Sequence, residues 1–409
     1  MTNPDATRDQ ASGESAWPEF DHLALGAHPD PAGQMRALRT ECPVGHSTRH
    51  GGFYVLTRAG DVRAAARHPE LFSSQANPGP GPGFPFSSGD RILSPMIGTD
   101  PPLHRDFRQP LQKKFSPSSA EAIAPHIREI ITALIDEFIE SGAADFARQL
   151  TIPLPSLVTG ELLDLPADRR VEFQQWATQL VAEGASSEGY RKLSGYVQQL
   201  YDSRVAAPGD DIPSFLLELR VGGEKISRTH WVGLVMMLIM AGLDTTTNGA
   251  ALILHFLGTR PDIREQLAAN PDSLPDAVEE LLRWVSPVPH HSRGVTQACE
   301  VGGHQFSPGD VVLLHWLAAN RDPEEFPEPD SFVADRSPNR HYAFGTGIHR
   351  CLGSHLAKVE LRVLLEEVLR RLPDYLVGEQ GIERYPGLNR GMSRLLVTFT
   401  PGRRESGRR

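Results

Sequence analysis

The stretch from His341 to Leu372, HYAFGTGIHRCLGSHLAKVELRVLLEEVLRRL, limits the fold more than any other part of the chain. Gly345 and Gly347 allow a tight backbone path, and from Cys351 onward apolar residues recur at helical spacing. A thiol therefore stands at the entrance of a helix. There the positive end of the helix dipole and the loop N–H groups favour a thiolate, which makes the sulfur an anionic ligand or a nucleophile. Cys42 and Cys299 are the only other cysteines, and three in 409 residues make no disulfide framework.

Helical periodicity returns at 118–142, 168–206 and 228–259, so helix dominates, whereas 51–58 and 393–401 alternate in the manner of strands. The segment VGGHQFSPGDVVLLHW predicts a hairpin with a Pro-Gly turn and a buried strand. The run NPGPGPGFPFSSG at 77–89 is irregular, yet Phe84 and Phe86 make it too apolar for a linker. Strands do not alternate regularly with helices, which argues against a doubly wound nucleotide-binding sheet. The glycines of GTGIHRCLG also lack the order of a dinucleotide fingerprint. The expectation is one domain over 17–402, mainly α with small β-sheets (α+β), between a disordered 1–16 and a polar tail at 403–409.

A net charge of −10 disfavours nucleic acid and anionic membrane. The N-terminal residues show no signal peptide, and the apolar run Trp231 to Leu243 is too short for a bilayer, so a cytoplasmic location is expected.

Three further motifs stand apart from this background. In AGLDTTTN, Gly242 and Thr245 to Thr247 each cost a helix interior up to about 1 kcal/mol relative to alanine. A threonine hydroxyl bonds the carbonyl four residues back, here Thr245 to Ala241, which fits either a mildly kinked core helix or a helix shaped for chemistry. Glu280 and Arg283 are three apart, hence on one helix face, and His104 and Arg108 are four apart at a helix start. Arg293 follows Arg283 by ten residues, beyond the proline-broken segment SPVPHHSR.

Phe344, Gly345, Gly347, His349, Cys351 and Gly353 together resemble the haem-binding signature of the cytochromes P450, and with the other motifs the resemblance spans nearly the whole chain. It implies the cytochrome P450 fold, with haem b (iron protoporphyrin IX) between a long distal helix and the helix after the cysteine loop. Cys351 would be the axial iron ligand, with Phe344, Gly345 and Gly353 around the sulfur. His104, Arg108, Arg293 and His349 would anchor the propionates, displacing the reading of His349 as the base of a cysteine nucleophile. Ala241 and Gly242 would form the groove over iron, and Asp244 with Thr245 the acid and alcohol that relay protons to dioxygen. Glu280, Arg283 and Arg336 would form a structural network behind the loop.

By family position, Phe84, Phe86, Met96, Ile97, Leu238, Val288 and the segment Leu388 to Gly391 would line the substrate pocket, and one of His290 and His291 would face a polar substrate group. The resemblance is to soluble bacterial-type (class I) monooxygenases. It implies a monomer that takes electrons from NAD(P)H through a ferredoxin reductase and a ferredoxin. The exposed-looking basic residues Arg105, Lys113, Lys114 and Arg350 suit an acidic donor. A peroxide-driven peroxygenase on the same fold and a non-catalytic haem or ligand-binding protein are the alternatives.

Overall fold

The computed structural model describes residues 17, 19–76, 95–183 and 187–405. The chain is organised around one helix, Arg228–Thr259, whose bounds coincide with the periodic segment expected at 228–259. Ser227 caps it by accepting a hydrogen bond from the His230 N–H, satisfying one of the donors a helix start leaves open. This helix is long and apolar enough to cross a membrane, but 78% of its most apolar window is buried inside the protein, as befits a core helix.

Two apolar clusters form along it. Its first half packs with the helices Arg170–Glu183 and Glu188–Ala206. Its second half packs with the helices Ala124–Asp136, Leu274–Val285 and Ser354–Arg371. The helical pattern expected at 168–206 is thus divided in two, and that at 118–142 is divided into Pro117–Ala122 and Ala124–Asp136. Pro125 falls in the first turn of the second helix, where a missing N–H costs no hydrogen bond.

The β structure is subordinate. A five-stranded sheet runs in the order Val44–Ser47, Phe53–Leu56, Val311–Leu314, His291–Val295, Phe72–Ser73. A three-stranded sheet joins Leu376–Arg384, Met392–Thr398 and Ala143–Asp145. The expected hairpin around Pro308-Gly309 does not form. Cys299–Val301 pairs instead with His304–Phe306, and the buried strand Val311–Leu314 pairs with Phe53–Leu56 and His291–Val295. The turn falls at Gly302 and Gly303 because both stand at positive φ, 62° and 78°, as a two-residue hairpin loop needs.

The tail is ordered further than expected. The Arg403 carbonyl accepts from Arg371, the Glu405 N–H donates to Asp136, and the Glu405 carboxylate pairs with Arg370. Residues 1–16, expected to be disordered, lie outside the described residues.

Candidate active site

The two motif-bearing helices, Arg228–Thr259 and Ser354–Arg371, face each other across a cavity of about 1830 Å³, its mouth included. Ala241, Gly242, Asp244 and Thr245 lie on one wall, and Phe344, Gly345, His349, Cys351 and Gly353 on the other.

The cysteine loop is folded by its own backbone. The Cys351 N–H donates to the Phe344 carbonyl at 2.8 Å, Gly345 N–H to Tyr342 at 2.8 Å, and Arg350 N–H to Gly347 at 3.2 Å. Gly345 and Gly347 stand at φ 66° and 72°, and a Cβ on Gly347 would fall 2.2 Å from the Ala66 carbonyl oxygen. Both glycines are therefore required by the loop path. Cys351 has accessible surface only because it opens on the cavity, since it lies deep within the protein.

Burial pushes the Cys351 thiol up, and this outweighs the Gly353 N–H and the nearby Arg108 and Arg350 guanidinium groups, which act the other way. Desolvation is the larger effect.

Behind the loop, the Glu280 carboxylate accepts two bonds from Arg283, at 2.7 and 2.8 Å, and two from Arg336, both at 3.1 Å. Val333 N–H and Asn339 add to it at 3.0 and 3.2 Å. Burial would raise the Glu280 carboxyl, but these donors, Arg283 foremost, hold it below its ordinary value. Arg283 also donates to the Asn320 carbonyl, while the Asn320 side chain accepts from the Tyr342 N–H at 2.6 Å. The three-residue network expected from the sequence thus reaches the cysteine loop through Asn320. His341 braces the same loop by bonding Glu279 and accepting from the Ala343 N–H.

At the rim of the cavity, Arg108, Arg293 and His349 line the wall, and His104 stands behind His349. The His104 and His349 rings stand 4.6 Å apart, His104 Nε2 is buried without a hydrogen-bond partner, and Ser74 meets His349 Nε2 at 3.1 Å. Arg108 donates to the Arg350 carbonyl, and Arg293 to the Ser292 carbonyl at 2.7 Å. Burial lowers His104 to about 4 and Arg293 to about 10, and it takes His349 well down, with Arg293 and His104 adding to the effect. Asp100 is the one acid that opposes these shifts at His104 and Arg293. The Arg108 and Arg293 guanidinium groups with so little counter-charge, beside two imidazoles that burial holds toward the neutral form, fit the anionic edge of a macrocycle such as haem.

On the opposite wall the helix is uninterrupted, and the Thr245 hydroxyl donates to the Ala241 carbonyl at 2.8 Å, as expected. Gly242 is explained by packing, because a Cβ there would lie 2.7 Å from Thr159 Oγ1 on the neighbouring helix. Asp244 is buried, and its Oδ2 accepts from Asn389 at 2.6 Å and from Asn248 at 3.1 Å. Tyr385 donates to Asn248 Oδ1 at 2.7 Å. Burial raises the Asp244 carboxyl despite these donors, Asn389 and Asn248.

Of the expected substrate-facing residues, Met96, Ile97, Leu238 and Val288 line the cavity, and Phe84 and Phe86 lie outside the described residues. His290 and Leu388 do not line it, but His291 and Asn389, expected there with them, do. The chain is extended where the strand His291–Val295 begins, so His290 and His291 point to opposite sides. His290 is buried against His22 and His315 instead.

Sequence reasoning missed Asn248, Tyr385 and Glu360, and it named Asn389 within the pocket segment 388–391 without its bond to Asp244. Asn248 had a signal, being four residues after Asp244 on one helix face. Glu360, on the helix after the cysteine loop, also lines the cavity; its Oε2 is buried without a partner, and burial pushes its carboxyl up to about 8. An acid raised from 4.5 to about 8 on folding costs stability progressively as pH rises through that window. At 1.36 kcal/mol per unit the cost at pH 7 is about 3 kcal/mol. Glu360→Gln is expected to recover most of it at pH 7 and nothing below pH 4.5, as urea denaturation at the two pH values would read.

A deep cavity between a long apolar helix and a glycine-bounded thiol, rimmed by two guanidinium groups and a pair of imidazoles, defines a haem protein of the thiolate class. The chain belongs to the cytochrome P450 family of haem-containing monooxygenases. The cytochrome P450 sequence profile matches residues 191–373. Cytochrome P450 130 of Mycobacterium tuberculosis is 32% identical over 89% of this chain and 93% of its own. Mycinamicin IV hydroxylase/epoxidase of Micromonospora griseorubida is 33% identical over 80% of this chain and 83% of its own. The crystal structure of CYP108D1 from Novosphingobium aromaticivorans superposes with a TM-score of 0.84 at 27% identity, covering 95% and 98% of the two chains.

Proposed function

We propose that this protein inserts one atom of dioxygen into a small, largely apolar organic substrate and reduces the other to water, with two electrons and two protons supplied per turnover. The observation that carries the reading is the placement of buried Asp244 and of Thr245 on the cavity wall opposite Cys351. Haem, when bound, supplies the reductive activation of dioxygen. Cys351 Sγ holds the iron as thiolate, and the Arg108 and Arg350 guanidinium groups favour that charge. His104, Arg108, Arg293 and His349 would hold the two propionates, Arg108 and Arg293 by charge and the imidazoles by hydrogen bonds.

Burial raises the affinity of the Asp244 carboxyl for a proton, which suits it to take one up and deliver it toward the Thr245 hydroxyl. Asn248 and Asn389 fix the carboxyl orientation. Ala241 and Gly242 keep the helix surface low beside Thr245. Met96, Ile97, Leu238 and Val288 give an apolar wall that excludes water and suits hydroxylation, epoxidation or dealkylation of a hydrocarbon-rich substrate.

Electrons come from NAD(P)H by way of a ferredoxin reductase and a ferredoxin, to a cytoplasmic monomer. Arg105, Lys113, Lys114 and Arg350 are exposed and suit an acidic donor. The test is turnover of a compound that shifts the haem spin state, driven either by reductase with ferredoxin or by hydrogen peroxide. Product formation only with the redox proteins and dioxygen is expected; product only with peroxide would overturn the reading in favour of a peroxygenase.

A further inference from the structure

A second cluster of chemistry lies away from the haem cavity, where residues 20–23 pack against the turn at 49–52. Asp21, His22 and His50 each present a ligand-type atom, and these three atoms lie within 4.8 Å of one another. The His22 ring is fully buried, and neither of its nitrogens has a hydrogen-bond partner. A buried imidazole without partners is rare, because desolvation is then uncompensated. The His50 ring stands edge-on to it with centroids 4.9 Å apart, and His50 Nε2 meets Asp21 Oδ1 at 2.8 Å.

His50 is also held at φ 52°, ψ 33°, a left-handed conformation that a side-chain-bearing residue adopts at a cost and that clusters at binding sites. His290 packs behind His22 at 5.2 Å, and neither of its ring nitrogens has a partner that meets hydrogen-bond geometry. Arg49 flanks the cluster 3.8 Å from Asp21 Oδ2, but its other nitrogen is engaged by Glu19 at 2.6 Å.

We propose that Asp21, His22 and His50 form a divalent transition-metal site, suited to zinc, that pins residues 20–23 to the turn at 49–52. Two imidazoles and one carboxylate are a zinc-type donor set, and they leave a fourth position for water. Tetrahedral zinc ligands at about 2.0–2.1 Å stand about 3.4 Å apart, so the widest pair here closes by at most about 1.4 Å. Rotation of Asp21 and His50 supplies that movement, since their side chains are 26% and 21% exposed and open a path for the ion. Asp21 Oδ1 already accepts from the Leu23 N–H at 2.9 Å, which orients the carboxylate from behind.

The test is calorimetric titration of the haem-loaded protein with zinc chloride at neutral pH, for the wild type, Asp21→Asn and His50→Gly. Glycine tolerates the left-handed backbone at 50, so that variant keeps the turn while losing a ligand. One zinc per chain with at least about 10-fold to 100-fold weaker binding in both variants is expected. Absence of stoichiometric zinc binding, or equal affinity in wild type and both variants, would overturn the proposal.

Discussion

Asp244→Asn is expected to lower dioxygen-dependent product formation by about 10²–10⁴-fold, the range that a positioned proton-transfer group contributes. Asparagine keeps the size of the side chain and an oxygen to accept from Asn248 and Asn389, so the packing of the long helix survives. What it removes is a group that takes up and releases a proton inside the cavity wall. Substrate-induced spin-state shifts should therefore stay near wild type while product per NAD(P)H consumed falls. Steady-state turnover with reductase and ferredoxin measures both quantities. Loss of less than about 3-fold would place the proton path elsewhere.

Glu280→Gln is expected to destabilise the fold by about 3–5 kcal/mol, as breaking one member of a buried ion network does. Arg283 and Glu280 are both fully buried, and Arg336 is nearly so. Removing the one anion leaves two guanidinium groups facing each other without a carboxylate. Their other bonds, to the carbonyls of Asn320, Pro329, Ser331 and Pro327, remain but carry no net charge. Because Asn320 links this network to Tyr342, haem retention should fall as well. Denaturation midpoints and haem content after desalting report the two effects. An unchanged midpoint would contradict a supporting role for the network.

The parts of this molecule legible from sequence are those in which chemistry and local geometry coincide. The helix 228–259 announces itself by periodicity, and AGLDTT by residues that a helix interior would not select for stability. The cysteine loop is legible because its two positive-φ glycines leave few alternatives. Glu280 with Arg283 needs only helix spacing. The partners of Asp244 were less visible: Asn389 comes from a loop 145 residues away, and no pattern near Pro386 signals that it turns back to the long helix.

The misassigned hairpin has a different cause. Pro308-Gly309 and Gly302-Gly303 both carry turn chemistry, and pairing with distant strands decides between them. Of the adjacent pair His290 and His291, strand alternation leaves His291 at the cavity and moves His290 to the far side beside His22. Glu360 was unremarkable within a helix rich in glutamate. Only packing reveals that its carboxyl has no partner.

Axial ligation of the haem by Cys351 underlies every role assigned to the cavity, and one spectrum tests it directly. Wild-type protein, reduced and saturated with carbon monoxide, should show the strongly red-shifted Soret band of a thiolate-ligated haem, and Cys351→Ala should lack it. Persistence of that band in Cys351→Ala, or its absence from haem-loaded wild type, would contradict ligation by Cys351.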